Sequence, residues 1–76
     1  MRIEEFKMER EGLVNIGDVV EVTEGELPTS YYYTAEPAIA MSKNYAQRER
    51  IKSDHGKVVD IIKNDRGFYL RIEFDE

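Results

Sequence analysis

Cysteine is absent from this chain of 76 residues. That absence excludes disulfide bonds, zinc sites built on thiolates and thiol chemistry. Long apolar runs are missing as well. No stretch approaches the roughly 18 apolar residues of a membrane span, and the charged residues 1–11 lack the apolar run of a signal peptide. The sequence therefore predicts a cytoplasmic protein that does not enter a membrane.

Signatures of catalysis, metal binding and nucleotide binding are also lacking. His55 is the only histidine, and no nucleophile motif accompanies it. The acids Asp18, Glu21, Glu24 and Glu26 lack the ligand spacing and central glycine of a calcium loop. We interpret them as solvated charges that protect a strand edge. We expect no enzymatic activity, no cofactor and no bound metal.

Length and charge limit what remains. A chain of this length predicts one small domain over residues 1–76, without room for a deep active-site cleft. The formal net charge is −5, yet residues 43–57 hold five of the eleven basic side chains. This basic island lies on an acidic chain, which disfavours generic binding to nucleic acid and leaves room for a local anion contact.

The carboxyl end has the clearest pattern. Phe68, Leu70, Ile72 and Phe74 alternate with polar residues, which predicts a strand with one buried face. Residues 58–62 predict a second strand. Between the two, residues 64–67 read Asn-Asp-Arg-Gly, an order typical of a type I turn closed by a glycine with positive φ. We therefore predict a hairpin.

Upstream, apolar residues of one parity between Val14 and Val22 predict a strand that bends near Gly17. Residues 1–12 fit either an extended segment or a helix, and we favour the extended one. The strands are expected to share one core, formed by Val20, Val22, Val59, Ile61, Phe68, Leu70, Ile72 and Phe74.

An insert at residues 27–55 separates the first strands from the later ones. Its tyrosine run favours a strand. Pro37 fits the first turn of a helix over residues 38–41, and Ser42 fits the N-cap of a second over residues 43–51. The insert is thus expected to be helical or irregular. Long loops in small domains are more often functional than not.

Two similar segments frame this insert: Gly-Asp-Val-Val-Glu-Val at residues 17–22 and Gly-Lys-Val-Val-Asp-Ile at residues 56–61. With the alternating strand at residues 68–74, they resemble small Src-homology-3-like barrels, as in KOW modules and the carboxyl-terminal barrel of nitrile hydratase beta subunits. The resemblance implies a mostly β barrel. KOW modules bind RNA or ribosomal partners. In nitrile hydratase relatives, arginines comparable to Arg48 and Arg50 face a partner subunit.

The tyrosine run and the basic island give the candidate binding residues, which are Tyr31, Tyr32, Tyr33, Arg48, Arg50 and Lys52. In a strand the middle ring faces opposite to the outer two, so at least one ring is expected at the surface. Exposed tyrosine beside arginine is typical of binding hot spots, although rings of this kind are more often a cap over the core. We predict a non-enzymatic interaction module that binds a protein or peptide. The alternative is a KOW-like module that stacks RNA bases.

Overall fold

The computed structural model describes residues 1–10 and 12–76. Within these residues, six antiparallel strands close into a barrel in the order β1-β4-β3-β2-β5-β6. The strands are β1 (Arg2–Met8), β2 (Val19–Glu26), β3 (Tyr31–Glu36), β4 (Ala40–Ser42), β5 (His55–Asn64) and β6 (Gly67–Phe74). A 3₁₀ turn at Gln47–Glu49 follows β4. The predicted mostly β class is confirmed, and the closed barrel is compatible with a Src-homology-3-like fold.

The alternation in β6 holds as predicted. Leu70, Ile72 and Phe74 are fully buried, and Phe68 packs against the core at its margin. β1 lies beside β6 along its whole length, from Arg2 opposite Phe74 to Met8 opposite Phe68. The segment expected to be extended at residues 1–12 thus supplies a strand up to Met8, while residue 11 lies outside the described residues.

The insert does not contain the predicted helices. Residues 38–41 pass into strand β4, and residues 43–51 hold only the 3₁₀ turn, so both helix assignments are wrong. Residues 37–39 form a turn in which Ile39 has a φ of 53°, and the strand begins at the buried Ala40. The insert supplies strands β3 and β4, so much of it forms part of the barrel wall.

Two details of the core also differ from the prediction. Val58 is fully buried and Val59 only partly, because the register between β5 and β6 shifts between Val58 and Asp60. A bulge of this kind reverses the side-chain parity, so Val58 and Ile61 both face inward. Upstream, β2 begins only at Val19, and Ile16 in the preceding turn is 62% exposed.

The turn between β5 and β6 follows the predicted chemistry. Gly67 has a φ of 133°, and the side-chain Oδ1 of Asn64 accepts a hydrogen bond of 2.8 Å from the backbone N–H of Arg66. A Cβ at position 67 would lie 3.3 Å from Lys7 Cε, on a backbone conformation that side chains rarely adopt.

We expect Gly67→Val to lower the free energy of unfolding by at least ~1 kcal/mol, because a β-branched residue does not tolerate this φ. Arg66→Ala, which changes an exposed neighbour in the same turn, should be nearly neutral. Urea denaturation of both variants checks the prediction. Equal stability of Gly67→Val and the parent chain would contradict it.

Candidate functional site

One end of the barrel is covered by the segment after β4. Tyr45 exchanges two backbone hydrogen bonds with Tyr31, of 2.9 and 2.7 Å, which fixes where the segment begins its crossing. Farther along, Ile51 is buried and its N–H donates a 2.9 Å hydrogen bond to the hydroxyl of Tyr33. Two buried side chains therefore anchor a segment that has almost no regular secondary structure.

The three tyrosines have three different environments. Tyr33 is 1% exposed, and its ring packs edge-on against Tyr45 with the ring centroids 5.7 Å apart. Tyr32 is half-buried on the opposite face of β3, with its ring over Gly25 of β2. Tyr31 is half-buried as well, and its hydroxyl donates a 2.8 Å hydrogen bond to the side chain of Gln47. Tyr31 and the hydroxyl of Tyr33 lie next to the basic residues.

Glu24 of β2 organises these groups. Arg50 binds its carboxylate through two hydrogen bonds, of 2.6 and 3.0 Å, and the Tyr33 hydroxyl donates a third of 2.7 Å. The guanidinium carbon of Arg50 lies 4.2 Å from the centre of the Tyr31 ring. The ion pair with Glu24 therefore holds the planar guanidinium of Arg50 over the Tyr31 ring, in a cation–π contact.

Hydrogen bonds from Arg50 and then from Tyr33 hold the pKa of Glu24 below its usual value, and the same carboxylate raises the pKa of Arg50. Burial, and after it the hydrogen bond to Glu24, raises the pKa of the Tyr33 hydroxyl. Glu24 is thus ionised and Tyr33 neutral around pH 7. The carboxylate of Glu24 therefore neutralises most of the positive charge of Arg50.

Arg48 and Lys52 differ from Arg50. Both side chains are exposed, and within residues 1–10 and 12–76 neither side chain forms an ion pair or a hydrogen bond. They border a pocket of about 640 Å³ whose apolar wall includes Val22 and Ile51. These two cations are therefore available to a ligand.

We define the insert face as Tyr31, Gln47, Arg48, Arg50 and Lys52. Of the six residues predicted from the sequence, the structure brings Tyr31, Arg48, Arg50 and Lys52 together on this face, with Tyr33 beneath it in the core. Tyr32 lies on the outer side of the barrel wall. Sequence reasoning missed Gln47, and it assigned Glu24 only to edge protection.

Arg2 and Glu76 form a second set of contacts, which holds the backbone of residues 49–53 to the barrel. The carboxylate of Glu76 accepts hydrogen bonds from the backbone N–H groups of Lys52 and Ser53, at 3.0 and 2.9 Å, and from the Ser53 hydroxyl at 2.8 Å. Arg2 donates to the backbone carbonyls of Glu49 and Arg50. Burial alone would raise the pKa of Glu76, but the hydrogen bonds from Ser53, Lys52 and Arg2 outweigh it and lower that pKa.

The lowered pKa of Glu24 gives a pH prediction. Stability from its ionised form is complete above its usual pKa, near 4.5, and is lost as the pH falls through the lower value of the folded state. We expect Glu24→Gln to melt below the parent chain at pH 7, and the difference to shrink steadily between pH 4.5 and pH 3. Thermal melts across this range check it.

Glu21→Gln is the matched control, because Glu21 lies exposed on the same strand. Its melting curve at pH 7 should follow that of the parent chain. A Glu24→Gln melting difference that stays constant down to pH 3 would contradict the assignment of the ion pair.

Comparisons of the chain with protein-family models, with curated proteins and with solved structures found no match. Among the described residues, no helix has the length and apolar character needed to cross a membrane. Within the same residues, no three carboxylate or imidazole side chains come together as a group that could hold a metal ion.

Proposed function

We propose that this protein is a small non-enzymatic interaction module that binds a peptide segment of a partner protein through the insert face. The observation that carries the proposal is that one of the three basic side chains is paired within the protein and two are not. Arg50 is fixed over Tyr31 by Glu24, whereas Arg48 and Lys52 stand exposed beside the same pocket without partners among the described residues.

This arrangement suits a peptide in two respects. The stacked pair of Arg50 and Tyr31 is a rigid, amphipathic platform, and tyrosine next to arginine is enriched among residues that dominate binding energy. Arg48 and Lys52 add mobile positive charge at the edge, which steers an acidic group toward the platform. An acidic peptide with one aromatic or apolar anchor therefore fits the face best.

We place the module in the cytoplasm and assign its barrel to the Src-homology-3-like type. The support is the absence of cysteine, the strand pattern of the two similar segments and the closed antiparallel topology. The KOW-like alternative would use the same cations against RNA phosphates. The net charge of −5 opposes it, since long-range repulsion of a polyanion lowers its association rate.

The test is a titration of the ¹⁵N-labelled protein with a degenerate pool of acidic peptides and, separately, with a pool of single-stranded RNA. We expect the peptides to shift the amide resonances of residues 47–53. The double substitution Arg48→Ala with Lys52→Ala should weaken peptide binding about tenfold, with a shallow salt dependence. Arg50→Ala is unsuitable, because it would leave Glu24 unpaired and unfasten the segment.

The matched control is Arg10→Ala with Arg66→Ala, which removes the same charge at the other end of the barrel. Peptide binding should survive it. Equal weakening by both double variants, or no shift at residues 47–53, would overturn the proposal. Binding to RNA with a steep logarithmic salt dependence, and none to peptides, would replace it by the KOW-like alternative.

A further inference from the structure

The barrel wall opens into a groove between β1 and the chain that follows β4. β4 pairs with β1 only at Phe6 and Lys7. After Ser42 the chain turns away, because Tyr45 pairs with Tyr31 at the start of β3 instead. The edge of residues 2–5 that faces away from β6 therefore has no strand beside it, and a groove of about 500 Å³ takes its place.

Apolar side chains that the fold does not use line this groove. Ile3 is 52% exposed and Met41 is 48% exposed, on opposite sides of the gap. The strand registers set Met41 opposite Lys7 and Lys7 opposite Tyr69, so Tyr69 continues the same row of outward-facing side chains. Exposed apolar groups gathered around a groove are typical of an interaction surface.

The charge of the groove is set by two lysines. Lys7 and Lys43 both line it, and the ammonium of Lys43 lies 5.2 Å from the centre of the Tyr45 ring at the floor. Glu4 is already bound by Arg2 and by the Tyr45 hydroxyl, which leaves Glu5 as the carboxylate without such a bond there. Although the net charge of the chain is −5, this groove attracts a negatively charged ligand locally.

We propose that this groove, which we call the β1 groove, is a second docking site that receives a short extended segment of a partner protein with apolar and acidic side chains on the same face. Its backbone lies along the open edge of residues 2–5. Ile3, Lys7 and Met41 project from one face of the sheet, so the segment turns one face toward them: its apolar side chains contact Ile3 and Met41, and its carboxylates meet Lys7 and Lys43. Addition of a strand to an exposed sheet edge is a recurrent mode of peptide recognition. The occupied edge is four residues long, about 13 Å.

The experiment uses two defined probes with the ¹⁵N-labelled full chain: a peptide of about eight residues in which valine and glutamate take turns at every second position with threonine between them, and its counterpart with lysine in place of glutamate. Eight residues more than span the open edge. We expect the glutamate peptide to shift the amide resonances of residues 2–7 and 41–45, and the lysine peptide to leave them unchanged. Lys43→Glu should weaken binding of the glutamate peptide about tenfold.

Lys52→Glu is the matched control, because it makes the same change of charge on the insert face. It should leave binding at the β1 groove intact, and Met41→Ser should weaken that binding with the fold preserved in the amide spectrum. Equal weakening by both charge reversals, equal binding of the two peptides, or shifts confined to residues 47–53 would overturn the proposal. So would self-association through β1 in sedimentation, which would make a second copy the occupant.

Discussion

Replacing Leu70 or Ile72 by alanine is expected to lower the free energy of unfolding by about 2–5 kcal/mol. Both side chains are 0% exposed. Leu70 lies opposite Phe6 of β1 and Ile61 of β5, so its loss leaves a cavity where three strands meet. Since domains of this size have only a few kcal/mol of net stability, either substitution should unfold a measurable fraction of the protein. Urea denaturation at 25 °C measures the effect.

Ile16→Ala is the control for these core variants. It removes an aliphatic side chain that is 62% exposed in a turn, so the expected change is within about 0.5 kcal/mol. Leu70→Ala and Ile72→Ala variants as stable as Ile16→Ala would show that β6 does not present this face to the core.

Gly56→Ala is expected to destabilise the protein by about 1–3 kcal/mol. A Cβ at this position would lie 2.5 Å from Ile72 Cγ2, 2.9 Å from Phe74 Cε1 and 3.0 Å from the backbone oxygen of Glu73. All three atoms belong to β6, which is paired on both sides. The methyl group can therefore be accommodated only if β6 shifts and the buried side chains of Ile72 and Phe74 repack. Thermal and urea unfolding both report the change.

Gly25→Ala tests whether rigidity of the surroundings decides the cost. Its Cβ would approach the Tyr32 ring even more closely, at 2.1 Å, but that ring is half-buried on the outer face and can swing toward solvent. We expect a smaller loss than for Gly56→Ala. The reverse order of the two variants would contradict the account of Gly56.

The hairpin of β5 and β6 was predictable because its determinants are local. Alternation over residues 68–74 sets the buried face, and the Asn-to-Gly order of residues 64–67 sets the turn. The bulge that turns Val59 away from the core has no comparable local signal in the sequence. Val58 and Val59 are chemically identical, so only the pairing with β6 decides which one is buried.

Residues 38–41 show where local preference fails. Alanine and methionine favour helices, and β4 is only three residues long, too short for an alternating pattern to be recognised. Pairing with β1 and β3 overrides the preference, because the barrel closes only if a strand fills that position.

The candidate site could be predicted only in part. The sequence places tyrosines and basic residues in one insert, which was enough to find Tyr31 and Arg50. The partner of Arg50 is Glu24, 26 positions away on strand β2, and no pattern in the sequence connects them. Which cations remain available follows from that contact, and so it emerged only from the three-dimensional arrangement.

The pairing of β1 with β6 has a kinetic consequence. It brings Arg2 to Phe74, so the seam that closes the barrel joins segments that lie far apart in the sequence. Loop entropy must be lost before that seam forms, and barrels of this topology fold in roughly milliseconds to seconds. Until closure, the free edges of both strands are exposed to other chains. During synthesis β1 is made before β6, so β1 remains without this partner until β6 has been made.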